Sequence, residues 1–214
     1  MLPRIKPMRF RLIPKPFDDP DYIFELKHDG LRAQAYIEKK RCKLVFHGSN
    51  KLKLFQSLKE CLAKLDIQSA ILDGEIVCIN DNGVSRFNEL FSQNISPAFH
   101  AFDLLWLNGE DLRQYPLMRR KQLLWKLIQK NDGLRIIYAQ HIEELGVGLF
   151  ELICRSELEG IVAKRKLGIY KSNCTVWLKI KNPNYSQTEG RHELMTRANS
   201  RVPGAIRLHN NVDS

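Results

Sequence analysis

Short segments rich in β-forming residues, separated by turn-forming residues, constrain the fold of this chain most strongly. The segments that predict strands are 23–28, 31–38, 43–47, 70–79, 99–107, 135–140, 160–166 and 176–181. Apolar residues at helical spacing predict amphipathic helices at 57–65, 116–128 and 147–157, with a short helix at 86–91. This pattern predicts an α+β fold in which antiparallel sheets are flanked by helices.

Two local features refine this expectation. Asp29 and Gly30 stand between the first two predicted strands and suit a tight turn. Pro116 suits the first turn of the second long helix, and we interpret the basic run Arg119–Lys121 within that helix as a solvated face.

Proline density and composition suggest how the chain is organised. Five prolines within the first twenty residues exclude a regular helix there, so we expect an extended lead-in over residues 1–21. Residues 22–184 then form one domain. The segment 185–214 is basic and polar with little periodic apolar content, which predicts a tail and no second domain.

The charge of the chain favours polyanionic partners. Its formal net charge is +10, which favours nucleic acid through counterion release, although a basic chain can also be merely soluble. Apolar runs are too short to span a bilayer and no signal peptide is evident, so we expect no membrane association and a cytoplasmic location. The five scattered cysteines predict neither disulfides nor a zinc site.

Lys27 is a candidate nucleophile because it lies at the end of a predicted strand, before Gly30. A lysine amine attacks phosphorus only when it is deprotonated, so it needs burial or neighbouring positive charge. Lys179 and Lys181 can supply that charge and bind phosphate, because alternate residues of a strand share one face. The alternative is a solvated edge strand.

Two glutamates and one phenylalanine complete the set of candidates. Glu75 and Glu159 stand beside glycines and offer the hard oxygen ligands that Mg²⁺ prefers, although such pairs also occur in plain turns. Phe102 precedes Asp103 in an apolar strand, where its ring can either stack on a purine or pack in the core.

The identity and order of these segments resemble the covalent nucleotidyltransferase superfamily of DNA ligases, RNA ligases and messenger-RNA capping enzymes. The matching segments are Lys27–Gly30 with Arg32 (motif I), Asp73–Glu75 (motif III), Phe102–Asp103 (motif IIIa), Glu159–Lys164 (motif IV) and Leu178–Lys181 (motif V). The resemblance is greatest to bacterial ATP-dependent DNA ligases. It implies the ATP-grasp-like nucleotidyltransferase fold of a ligase adenylation domain for residues 22–184.

The resemblance also implies roles for individual residues. Lys27 would take up AMP from ATP as a phosphoramidate, and Glu25 would accept a hydrogen bond from the adenine amino group, which points to ATP over GTP. The other implied roles are Arg32 and Glu75 at the ribose or the metal, Phe102 against the base, Glu159 at Mg²⁺, and Lys164, Lys179 and Lys181 at the phosphates.

The chain departs from the family pattern at two places. His47 to Asn50 stands where S-R-N-G is usual, so a histidine replaces an expected arginine. The segment after Lys181 is too short for the five-stranded OB-fold domain that follows in the family. In the family this OB-fold domain helps to clamp DNA. The arginines of the predicted tail would either replace part of that clamp or belong to a disordered tail. They are Arg191, Arg197, Arg201 and Arg207. A separate protein that supplies the clamp is a further expected partner.

The sequence therefore predicts an ATP-dependent DNA ligase that adenylates itself at Lys27, transfers AMP to the 5′-phosphate of nicked double-stranded DNA and closes the nick. Two alternatives remain open at this point. One is an RNA ligase or RNA-end adenylyltransferase, which the 2′-hydroxyl of the acceptor would distinguish. The other is a catalytically silent DNA-binding module on the same scaffold.

Overall fold

A computed structural model of the chain describes residues 1–46, 55–79, 85, 87–91, 96–172 and 174–185. The His47 to Asn50 departure and the four arginines of the predicted tail lie outside these residues. Among the described residues, no helix combines the length and apolar character that a membrane crossing needs.

The first sheet, sheet A, has five strands. In spatial order they are β1 (Phe10–Leu12), β11 (Trp177–Lys181), β10 (Gly160–Arg165), β2 (Asp19–Leu26) and β9 (His141–Glu144). All pairs are antiparallel except β1 with β11, which are parallel. Helix α3 (Gly146–Arg155) covers the outer face of this sheet, where Ile153 packs against Phe24 and Ile161.

The second sheet, sheet B, has six strands. Five follow the order β4 (Arg41–Phe46), β3 (Leu31–Glu38), β5 (Ser69–Val77), β6 (Ala98–Leu107) and β7 (Glu110–Asp111), and β8 (Ile136–Tyr138) pairs with β6 in parallel. Helices α1 (Gln56–Leu62) and α2 (Leu117–Lys130) cover its outer face, and a 3₁₀ helix spans Phe87–Phe91. The predicted flanking of largely antiparallel sheets by helices is therefore confirmed.

A third apolar cluster joins the inner faces of the two sheets. Val162 and Trp177 of sheet A pack with Ile71 of sheet B, and Ile5 and Met8 from the predicted lead-in are buried beside them. The lead-in segment also contributes β1 and the first residues of β2. The inner faces therefore meet over an apolar floor, with polar residues along the rest of the cleft between them.

The segment between β2 and β3 corrects the predicted tight turn at Asp29 and Gly30. The two strands belong to different sheets, so this segment crosses from one sheet to the other instead of closing a hairpin. Gly30 is required there by close packing, because a Cβ atom would lie 2.3 Å from the carbonyl oxygen of Ile76. This crossing places the nucleophile candidate at the junction of the sheets.

Candidate active site

Lys27 directly follows the last residue of β2 and lies at the cleft between the sheets. Its backbone N–H donates a hydrogen bond to the carbonyl of Gly160 (2.9 Å), which fixes the residue against β10. Its Nζ donates to Oε2 of Glu159 at 2.6 Å. The lysine side chain is 22% exposed and that of Glu159 only 5%, so the amine remains accessible from the cleft.

Lys179 and Lys181 share one face of β11, as the sequence predicts. Their register partners on β10 are Val162 and Gly160, which places them on the side of the sheet that holds Lys27. The pKa of Lys179 is lowered by partial burial first and then by the positive charges of Lys181 and Lys27. The three ammonium groups therefore form one cationic cluster, and its lysine pair suits a polyphosphate.

Glu75 faces this cluster from sheet B. Burial raises the pKa of Glu75 to about 8, and the negative charge of Glu159 adds to this effect, whereas Lys27 and Arg32 oppose it. Glu75 and Glu159 thus interact electrostatically across the cleft, with the nucleophile candidate between them. The structure thus brings Glu75 and Glu159, the two predicted metal ligands, to the same cleft. Among the described residues, no group of three or more His, Cys, Asp or Glu side chains is arranged to hold a metal ion.

Glu25 binds two buried lysines at the inner end of the cleft. Its Oε1 accepts a hydrogen bond from Lys121 and its Oε2 accepts one from Lys164, each at 2.5 Å. Lys121 also donates to the carbonyl of Ala139 (2.9 Å). The exposed fraction of these three side chains is at most 4%. The structure thus places Lys164, predicted to bind phosphate, beside the residue predicted to recognise adenine.

Phe102 borders the same region. Its ring meets Trp177 edge to face with centroids 5.6 Å apart, and Nζ of Lys164 lies 4.4 Å from both ring centroids. Phe102 is only partly buried, so part of the ring remains available to a base. The structure therefore brings together Glu25, Lys164 and Phe102.

Arg32 is held by a partner that the sequence analysis did not assign to it. Its Nε and Nη2 donate to the two carboxylate oxygens of Asp73 (3.1 and 2.8 Å), and Nη1 donates to the carbonyl of Met8 (2.8 Å). Burial alone would lower the pKa of Arg32, but the charge and hydrogen bonds of Asp73 outweigh it and raise the pKa. Arg32 is therefore fixed near Glu75, its register partner on β5.

The interpretation of Arg119–Lys121 as a solvated basic face was wrong for two of its residues. Arg120 and Lys121 are 0% and 1% exposed, and they pair with Asp103 and Glu25. The sequence contains a signal for this burial, because Leu117, Arg120, Lys121 and Leu124 follow the i, i+3, i+4, i+7 spacing of the apolar stripe. Basic residues within an apolar stripe indicate buried acidic partners.

A further pair of residues close to Lys27 was also missed. The rings of His28 and His100 contact each other at an angle of 49°, with centroids 3.9 Å apart. Burial lowers the pKa of both side chains, to about 4 for His28 and about 3 for His100. Both rings are therefore neutral at pH 7 and add no charge beside Lys27.

We expect Glu25→Gln to lower the free energy of unfolding by about 3 kcal/mol at pH 7, because two buried lysines lose their counter-charge. Burial raises the pKa of Glu25, but Lys121 and Lys164 outweigh this and hold it below its ordinary 4.5. The stabilisation from the ionised carboxylate is therefore complete above pH 4.5 and is lost as the pH falls through the lowered pKa. Urea unfolding of both proteins at several pH values should show a constant difference that narrows only below pH 4.5. A difference that is absent at pH 7 would contradict this assignment.

The two facing sheets, with lysines and carboxylates gathered between them, define a nucleotidyltransferase-type domain. The chain belongs to the ATP-dependent DNA ligase family, since the family described as "ATP dependent DNA ligase domain" matches residues 7–181. This confirms the resemblance that the sequence motifs indicate.

Similar proteins agree with this assignment. The SPbeta prophage-derived DNA ligase-like protein LigB of Bacillus subtilis is 29% identical over 192 residues, which is 86% of this chain and 69% of that protein. The multifunctional non-homologous end joining protein LigD of Pseudomonas aeruginosa is 30% identical over 170 residues, which is 75% of this chain but 20% of that protein. The chain therefore spans only part of the length of these relatives.

Solved structures confirm the predicted fold. The mycobacterial DNA ligase D complexed with ATP and MES superimposes with a TM-score of 0.70 at 25% identity, covering 83% of this chain and 60% of that chain. The Chlorella virus DNA ligase-adenylate gives a TM-score of 0.59 at 16% identity, covering 82% of this chain and 68% of that chain. The second likeness concerns the fold alone.

Proposed function

We propose that this chain is the catalytic domain of an ATP-dependent DNA ligase, in which Lys27 becomes covalently adenylated and passes AMP to the 5′-phosphate at a nick in double-stranded DNA. The observation that supports this most directly is the 2.6 Å pair between Lys27 and Glu159, set among Lys179, Lys181 and Glu75. A DNA-binding module without catalysis would not need this group of residues.

In the first step, Nζ of Lys27 attacks the α-phosphorus of ATP. A nitrogen–phosphorus bond forms, the bond between the α-phosphorus and the oxygen that bridges to the β-phosphate breaks, and pyrophosphate leaves with that electron pair. Before the attack, the ammonium group of Lys27 loses a proton to solvent, and Glu159 accepts a hydrogen bond from the neutral amine and so orients it. Lys179 and Lys181 neutralise the phosphates that depart.

The base would lie at the inner end of the cleft. A carboxylate has four lone-pair positions, so Glu25 can accept from the adenine amino group while both lysines remain bound. Phe102 would stack on the base. Arg32 and Glu75 would contact the ribose.

The residues of the cleft fit a magnesium ion. Mg²⁺ is commonly bound by one or two carboxylates together with phosphate oxygens and water, and Glu75 and Glu159 provide such a pair next to the phosphate-binding lysines. The pKa of Glu75 is raised, and a nearby positive ion would lower this pKa and so favour the ionised carboxylate. When bound, the ion supplies charge neutralisation at the α-phosphate.

The second and third steps require the DNA acceptor. The 5′-phosphate attacks the α-phosphorus of the lysine adduct and releases the Lys27 amine, and the adjacent 3′-hydroxyl then displaces AMP to form the phosphodiester. A net charge of +10 supports a polyanionic acceptor. Tail arginines or a separate protein would complete the grip on the duplex.

The test is incubation of the purified chain with Mg²⁺ and α-labelled ATP or GTP, followed by denaturing electrophoresis and intact mass. We expect label and a mass gain of one AMP from ATP and none from GTP. Addition of nicked DNA or of RNA ends then identifies the acceptor that removes the label. Absence of label under every condition would contradict the proposed function, and transfer to RNA alone would favour the RNA ligase.

A further inference from the structure

A second cationic feature lies beside β4, away from the lysines of the cleft. It is a groove of about 1160 Å³, lined by the start of the chain, the end of β3, the hairpin turn and β4. We call it the β4 groove. Its charged side chains are four cations and one acid: Arg4, Lys39, Arg41, Lys43 and Glu38. All four cations are exposed.

The positive charge of the β4 groove is not compensated by the residues that line it. Glu38 pairs with the amino group of Met1 at 3.4 Å. Within the described ranges, none of the four cations of the groove forms an ion pair, whereas Lys166 and Arg113 elsewhere on the surface do. The groove therefore presents a net positive surface to solvent.

The strand register concentrates this charge on one side of the sheet. Arg41 lies opposite Glu38 and Lys43 lies opposite Tyr36, so both basic residues emerge on the face of sheet B that also bears Arg32. This is the inner face, opposite the helices. The β4 groove and the cleft therefore lie on the same side of sheet B.

The hairpin turn between β3 and β4 adds an independent observation. Lys39 and Lys40 have φ values of 52° and 57°, so both adopt the left-handed conformation of a two-residue turn, for which Asn-Gly is strongly preferred. Lys40 donates to the carbonyl of Leu65 (3.2 Å), a local structural role. Lys39 lines the groove from this turn, and its side chain is exposed.

We propose that the β4 groove binds the sugar-phosphate backbone of a duplex arm of the DNA substrate, an assignment that rests on the proposed ligase function. β3 runs from the junction of the sheets to the groove, and its eight residues span about 24 Å at about 3.4 Å each. That length corresponds to about seven base pairs of duplex. The groove therefore contacts the arm and not the reacting phosphate.

The first test compares Arg41→Ala/Lys43→Ala with a control that also removes two exposed positive charges, Lys64→Ala/Lys126→Ala, on the helical side of sheet B. Binding of nicked duplex is measured without ATP over a range of salt concentrations. We expect the groove variant to bind about tenfold more weakly at low salt, with a salt slope reduced by about 2, and the control to match the wild type. A groove variant that behaves like the control would overturn the proposal.

Duplex length provides a second readout. On nicked DNA whose arms both end within about five base pairs of the nick, the wild type and the groove variant should bind equally, since the phosphates that reach the groove are missing. Unequal binding on this short substrate would be evidence against the groove. Covalent labelling with ATP should be the same in all variants. If the wild type is not labelled, the proposed function is contradicted, but the binding comparison still tests whether the β4 groove contacts DNA.

A single substitution in the turn separates charge from folding. Lys39→Asn introduces a residue that tolerates the left-handed conformation and removes one positive charge. We expect a higher Tm together with weaker DNA binding, two effects of opposite sign that misfolding cannot produce. A higher Tm with unchanged binding would mean that Lys39 does not contact DNA.

Discussion

Lys27→Ala should abolish covalent labelling of the protein by ATP, with a loss of at least about 10⁴-fold in the rate of adenylation, the scale on which removal of a catalytic nucleophile acts. The physical reason is that, in the proposed reaction, the amine forms the new bond to phosphorus, and no other described lysine occupies its position beside Glu159. Denaturing electrophoresis with α-labelled ATP measures the loss. Lys126→Ala, on an exposed face of α2, is the control and should label like the wild type.

Lys27→Arg distinguishes the nucleophile from the ion pair. A guanidinium can still pair with Glu159, but it stays protonated at any pH at which the protein is folded, so it cannot attack phosphorus. We expect this variant to retain the stability of the wild type within about 1 kcal/mol and to remain unlabelled. Labelled protein after either substitution at Lys27 would show that the nucleophile lies elsewhere.

The sequence predicts eight of the eleven strands among the described residues and the order of the motifs, because both depend on local pattern. It does not predict β1, β7 and β9. Leu31–Glu38 was predicted to the residue, since polar and turn residues bound it on both sides. The alternation within Trp177–Lys181 likewise placed Lys179 and Lys181 on one face, and the structure shows that face directed towards Lys27. Period-two and helical patterns hold wherever one face of an element is buried.

Interactions between distant segments were not predictable in the same way. The charge of Lys121 on α2 is offset by Glu25, 96 residues earlier in the chain, and no local pattern indicates that pairing. The same holds for Lys164, which is 139 residues from Glu25. The Asp29 to Gly30 segment was misread because a tight turn and a crossing between sheets require the same residue types. Only the order of the strands in the two sheets distinguishes a tight turn from a crossing.

Arg120→Ala is the substitution that we expect to reduce stability most, by about 3–5 kcal/mol, because it leaves the carboxylate of Asp103 buried without its counter-charge. Both side chains are at most 1% exposed. The guanidinium donates to both oxygens of Asp103 (2.7 and 2.8 Å) and also to the carbonyls of Tyr115 and Gly168. Such a loss is a large fraction of the stability of a typical domain.

Urea unfolding of Arg120→Ala beside a double variant without either charge provides the measurement for this pair. Arg120→Met/Asp103→Leu removes both charges and fills the site with apolar groups, so it should recover most of the stability that Arg120→Ala loses. Asp103 follows Phe102 on β6, and Arg120 precedes Lys121 on α2. The pair therefore also fixes the two elements that border the end of the cleft at which we propose that the base binds. The double variant should therefore fold yet bind ATP more weakly than the wild type. A loss below about 1 kcal/mol in Arg120→Ala would show that the pair is exposed to solvent and that it does not hold β6 against α2.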